Sequence, residues 1–182
     1  LVGEWSDVDV PTTDWDRATT SCMSVLHAFF GDARWSRISE TIARHERAAI
    51  PQSHLMPTVQ ECFGRLVSQQ TAVITLLPGD VATDVLEFHG LRVGQEIDVV
   101  VGRDPEMRPK PEPDGVIDAC RILGVAPGSA TMIGDSTWDA QAALAAGATF
   151  VGVPADGFEE DIRESIATAP TMDQALQGLG LE

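Results

Sequence analysis

The sequence predicts an α/β protein: a parallel sheet covered by helices on both faces, with a small all-helical segment ahead of it. Three observations carry this. Short, nearly continuous apolar runs rich in β-branched residues recur between residues 71 and 153, as strands buried on both faces require. The helical stretches between them close on glycine, at Gly90, Gly124 and Gly147, where a left-handed residue ends a helix without a Cβ clash. Residues 14–50 show helical spacing alone. Right-handed crossovers then wind such strands and helices into a doubly wound layer structure.

Taken in order, Met23, Leu26, Ala28, Phe29 and Phe30 cluster at helical spacings, and Trp35, Ile38, Ile42 and His45 recur every three to four residues, the period of one helix face. Thr13 or Asp14 can cap the first helix, and Gly31-Asp32 interrupts the run. Pro51 and Pro57 bracket a connector, since proline lacks the N–H that regular structure uses. Residues 58–69 place Val59, Cys62, Phe63, Leu66 and Val67 on one helical face. Thr71-Ala72-Val73-Ile74-Thr75 reads as the first strand and stops at Pro78-Gly79. A helix capped by Asp80 follows, then a strand over residues 97–101, a helix over 113–123, a strand over 130–133, a helix over 137–146 and a strand over 149–153. The tail, residues 159–179, is expected to be helical with a break at Pro170.

The formal net charge is −16, with 43% hydrophobic and 22% charged residues. A field of that sign repels nucleic acid and anionic lipid. It also repels phosphate esters unless a cation or a placed lysine answers them. No apolar run approaches the roughly 20 residues of a membrane helix, so neither a membrane nor a nucleic acid is expected as partner. Cys22, Cys62 and Cys120 lie far apart without C-x-x-C spacing, which argues against a disulfide framework or a zinc cluster and for a reducing cytoplasm.

In open α/β sheets ligands gather at the carboxyl ends of the strands, so the residues just after each strand are the candidates. The first strand ends at Thr75. The second leads to Arg103, Asp104 and then Lys110 in Arg108-Pro109-Lys110-Pro111-Glu112-Pro113. The third leads to Gly134-Asp135-Ser136-Thr137-Trp138-Asp139. Asp135 and Asp139, four apart where a loop enters a helix, face one side and can hold a hard cation such as magnesium, which takes only one or two carboxylates. The ammonium of Lys110 suits a phosphate oxygen, and the Thr75 hydroxyl can donate to another. The plainer alternative is that Asp135 or Ser136 is simply a helix cap. Trp138 reads as packing or pocket wall, and the four histidines show no metal-ligand spacing.

Lys110-Pro111-Glu112-Pro113 followed by residues 134–148 resembles the haloacid dehalogenase-like hydrolase superfamily, and the similarity runs over residues 57–157. Thr75 matches that family's second motif, with Leu76 where an asparagine or small polar residue is common. The resemblance implies a Rossmann-like core, magnesium dependence, a phosphatase-type reaction on a small phosphorylated metabolite through an aspartyl-phosphate, and a helical cap. The cap would be residues 14–50 and the core residues 57–182 with whatever of 1–13 joins the sheet. Lys110 and Thr75 would be catalytic, and Asp135 and Asp139 the metal ligands.

The resemblance also implies a first motif, Asp-x-Asp at the end of a central strand, whose first aspartate is the nucleophile and whose second is the acid and base. Asp7-Val8-Asp9 has that spacing, but the residues before it include Gly3, Glu4 and Ser6, unlike a strand buried on both faces. Three arrangements would complete the sheet: a segment preceding Leu1, residues 1–10 themselves, or an element of a second subunit. The first is the expected one. The rival from another class is a noncatalytic binding protein that keeps the phosphate pocket without the nucleophile. Dehalogenation, which needs no magnesium, is disfavoured by the acidic pair.

Overall fold

The computed structural model of the chain describes residues 18–158 and 160–181; Asp7 and Asp9 lie outside them. Helices α1 (Ala18–Ala28) and α2 (Trp35–Ala49) are separated by a break at Gly31, whose φ of 79° needs the freedom of glycine. Asp32 secures that break by accepting from the Arg34 backbone N–H and guanidinium at 2.8 Å. The two helices bury Val25, Leu26, Phe29, Trp35 and Ile38 against one another. The Trp35 indole N–H finds a buried acceptor, the Leu26 carbonyl, at 3.2 Å.

A turn at Ile50–Gln52 leads to α3 (Val59–Arg65). Thr58, immediately before α3, sits at φ 68°, where a β-branched side chain crowds its own backbone. Thr58→Gly is therefore expected to raise stability by about 1 kcal/mol, read from the urea midpoint at constant m-value.

The α/β part follows as β1 (Ala72–Ile74), α4 (Gly79–Phe88), β2 (Val99–Val101), α5 (Asp114–Leu123), β3 (Thr131–Gly134), α6 (Thr137–Ala146), β4 (Thr149–Gly152), α7 (Glu160–Arg163), β5 (Ala167–Thr168) and α8 (Met172–Gly178). Every pairing is parallel, with Ala72 opposite Val99, Thr131 opposite Thr149 and Val151 opposite Ala167. Gly124 and Gly147 take the left-handed positions that close α5 and α6, as their spacing predicts. One expectation is corrected. The tail is not helical up to Pro170, because β5 adds a strand to β4 there. A two-residue strand is too short to leave a period of its own, and only its partner fixes it.

Strand alternation sends neighbouring side chains to opposite layers. On one face Val116, Cys120, Ala140, Ala143 and Phe150 form a cluster that Ile74 and Met132 join from the strands. On the other, Ile133 meets both Val151 with Val153 and the α3–α8 cluster of Cys62, Leu66 and Leu176. The result is a three-layer, Rossmann-like α/β arrangement. The strands form two sheets, β1–β2 and β3–β4–β5. They share a helical layer, since α5 lies against β1 and β2 and also against α6, which covers β3 and β4. Among the described residues β1 and β3 each keep one edge without a strand partner, at the place where the resemblance implies a central strand. No helix among the described residues is long and apolar enough to cross a membrane, and the three cysteines are free.

Candidate active site

The chain leaves β1 through Thr75-Leu76-Leu77. The Thr75 N–H still donates to Val101 of β2 at 3.0 Å, so the residue is held by the sheet. Its hydroxyl oxygen accepts from the Leu77 N–H at 3.2 Å, which leaves the hydroxyl hydrogen free to donate outward. The loop after β2 lies tightly on this one: Arg103 N–H donates to the Leu77 carbonyl at 2.8 Å. A Cβ at Gly102 would overlap the backbone of Leu77 and Gly79. Thr75, Leu76, Asp104, Met107 and Lys110 line one cavity at this end of the strands, with Trp35 of α2 forming part of its wall.

The loop after β3 supplies the acids. Ser136 caps α6 by accepting from the Asp139 N–H at 3.2 Å, and Asp139 answers by accepting from the Ser136 N–H at 3.1 Å and its hydroxyl at 2.6 Å. This reciprocal capping box satisfies two otherwise orphaned donors at the helix start. The other oxygen of Asp139 accepts from the Lys110 ammonium at 2.5 Å. Asp139 is buried and Lys110 partly buried, with side-chain exposures of 6% and 13%. Asp139 thus joins the loop after β2 to the loop after β3, and both its oxygens are engaged. Such a junction needs close approach, and Gly134 provides it: a Cβ there would stand 2.7 Å from the Asp139 Cβ and 3.1 Å from its Oδ2. Gly134→Ala is expected to displace Asp139 and cost about 1–3 kcal/mol, the usual penalty of overpacking, measured by chemical unfolding.

Asp135 is exposed, and among the described residues no lysine or arginine pairs with it. Partial desolvation in the loop, and after it the charge of neighbouring Asp139, push its carboxyl up from the usual carboxylate range, while Lys110 pulls the other way. A carboxylate made uncomfortable by water loss and a second carboxylate is relieved by a cation. The hard oxygen of Asp135 is the kind of ligand magnesium takes, in a shell otherwise completed largely by water and substrate oxygens. The described residues contain no cluster of three or more His, Cys, Asp or Glu able to enclose a metal ion by themselves.

Of the predicted site residues, Lys110, Asp135 and Asp139 lie together, and Thr75 shares a cavity wall with Lys110. Asp139 is occupied by Lys110 and Ser136, which leaves Asp135 as the carboxylate open to a cation. Ser136 was legible as a cap, because Ser-x-x-Asp ahead of an apolar helix is a capping-box signature. Trp138 meets the His27 ring of α1 at 6.1 Å between centroids and 60° between planes, so the helical segment reaches the acidic loop.

Residues 22–153 match the family model described as haloacid dehalogenase-like hydrolase. The chain is 30% identical over 176 residues to the phosphoglycolate phosphatase of Shigella boydii serotype 4 (strain Sb227), covering 94% of this chain and 65% of that protein. It is 30% identical over 132 residues to the phosphoglycolate phosphatase of Escherichia coli (strain K12), covering 70% and 52% respectively. The chain therefore spans between half and two thirds of the length of these relatives. Among solved structures, a hydrolase from Pseudomonas syringae superposes with a TM-score of 0.65 at 27% identity, over 82% of this chain and 73% of that one. CbbY from Rhodobacter sphaeroides in complex with phosphate is alike in fold, with a TM-score of 0.69 at 18% identity, over 89% and 79%.

Proposed function

The chain belongs to the haloacid dehalogenase-like hydrolase family, and from that premise we propose that it is the greater part of a magnesium-dependent phosphomonoester hydrolase acting on a small phosphate ester. The observation that carries the reading is the largely shielded Lys110–Asp139 pair, which sets an ammonium beside the open Asp135 carboxylate at the rim where Thr75 also opens. Phosphoryl transfer asks mainly for positioning and charge neutralisation, and these side chains offer both.

In this reading Asp135 would hold magnesium, which would supply positive charge to offset that of the phosphoryl group. The Lys110 ammonium donates to one phosphoryl oxygen and is kept in place by Asp139 rather than by the substrate. The Thr75 hydroxyl donates to a second. An aspartate carboxylate attacks phosphorus as the ester P–O bond breaks, and the partner carboxylic acid gives its proton to the departing oxygen, which leaves as the alcohol. Water then attacks the aspartyl-phosphate, releasing inorganic phosphate and restoring the carboxylate. The nucleophile and its partner acid fall outside the described residues, where Asp7 and Asp9 also lie. Residues 14–50 serve as a cap over the site, a role consistent with Trp35 in the cavity wall and with the His27–Trp138 contact.

The test is hydrolysis of a generic aryl phosphate, and of phosphoglycolate because the relatives are named for it, with magnesium and then with excess chelator. Magnesium-dependent release of phosphate supports the proposal. Phosphate binding without any turnover supports the noncatalytic alternative.

A further inference from the structure

Arg103 opens the loop after β2 and is none of the groups proposed to meet phosphate or cation, yet every donor it owns is used. Its side chain is 1% exposed. Nε donates to Ser39 Oγ at 2.9 Å, and Nη2 donates to the Ser39 carbonyl and to Glu46 Oε2, both at 3.0 Å. Nη1 donates to the Leu76 carbonyl at 2.7 Å and to Glu46 Oε1 at 3.2 Å. A guanidinium has five N–H groups in a rigid planar fork, and here they are divided between two places. Ser39 and Glu46, seven residues apart on α2, lie on one helix face two turns apart. The Leu76 carbonyl belongs to the residue directly after Thr75. The Arg103 backbone N–H adds a further hold on that loop through the Leu77 carbonyl, at 2.8 Å.

We infer that Arg103 is a positioning residue that ties the docking of α2 to the setting of the Thr75 loop, so that the helical segment and the phosphate-facing hydroxyl are placed as one unit. Trp35, the first residue of α2, lines the same cavity as Thr75 and Leu76, so a shift of α2 also moves a wall of the site. Lysine cannot substitute: its three donors radiate from one nitrogen and cannot span α2 and the Leu76 carbonyl together. The kinetic part of the test rests on the phosphohydrolase reading, whereas the structural part does not.

The experiment compares the full chain with Arg103→Lys and Glu46→Gln by amide hydrogen exchange and by aryl phosphate turnover. In both variants the amides of residues 35–49 and of residues 75–77 are expected to exchange faster together, by about tenfold, the effect of losing a charge-assisted hydrogen bond. Exchange in β3 and β4 should be unchanged. Turnover should show kcat lowered by about 10–100-fold with KM within about threefold, because alignment rather than binding is lost. Faster exchange confined to α2, with residues 75–77 and kcat at wild-type levels, would reduce Arg103 to a bolt for the helix and overturn the inference, as would no change in either segment. Should Arg103→Lys fail to fold, Glu46→Gln carries both readouts, since Glu46 is 21% exposed and keeps its shape in that variant. An unaltered protein that neither turns over aryl phosphate nor binds inorganic phosphate sinks the phosphohydrolase reading, while the exchange data still decide the role of Arg103.

Discussion

Asp135→Asn is expected to abolish magnesium-dependent phosphatase turnover while leaving the metal-free protein at least as stable as before at neutral pH. The kinetic loss should be about 10³-fold or more, since a metal contributes several kcal/mol of transition-state charge stabilisation and each 1.36 kcal/mol is a decade. The stability effect has the opposite sign for a physical reason. The Asp135 carboxyl is pushed up from its ordinary 3.8 by desolvation first and the Asp139 charge second. The native state therefore holds that proton more tightly than the unfolded chain does. Stability falls as pH rises from 3.8 through the raised native value, and the penalty is complete above that interval. The asparagine variant escapes it there and gains nothing at pH values below that interval. Magnesium should reverse the ranking, because a ligand at 100 times its Kd stabilises by roughly 2.7 kcal/mol, and only the wild type can use it. Urea midpoints of both proteins at two pH values, with and without magnesium, check all of this.

Lys110→Ala is expected to damage fold and site together. Asp139 is buried and its partner Lys110 partly so, and removing the lysine strands the buried carboxylate at a cost approaching about 3 kcal/mol. The stranded carboxylate is also half of the α6 capping box and the neighbour of Asp135, so its discomfort spreads to both. The double variant Lys110→Ala with Asp139→Ala separates the two roles. Stability should partly return, because no unpaired charge remains buried. Affinity for inorganic phosphate should not return, because no ammonium faces the anion. Recovery of both would mean that Lys110 only neutralises Asp139.

Much of this was legible in the sequence, for identifiable reasons. The apolar run at residues 149–153 holds a strand buried from Phe150 to Gly152, and such burial leaves a signal that survives without any partner in view; the run at residues 71–75 carries the same β-rich signal although its strand is only half-buried here. The helix over residues 137–146 was bounded to the residue, since a serine cap and a terminal glycine are local chemistry. That Lys110 and Asp135 would come together was legible because the residues following parallel strands gather at one end of the sheet, and strand ends can be counted along the chain. The rest depended on distant partners. β5 exists only through its pairing with Gly152 and Val151. Asp139 and Asp135 look alike in sequence, and only the arrival of Lys110 from 29 residues away makes one a strut and leaves the other open. Arg103 could be seen to follow a strand, but nothing local says that its fork reaches Ser39 and Glu46 on α2.

The most direct measurement is a crystal structure of the chain grown with manganese in place of magnesium and tungstate in place of phosphate, read by anomalous scattering. Manganese on the Asp135 carboxylate, with tungstate between it, the Lys110 ammonium and the Thr75 hydroxyl, is the expected result. Tungstate bound away from Lys110, with the Asp135 carboxylate bare of metal, would contradict the assignment of this rim as a phosphoryl site.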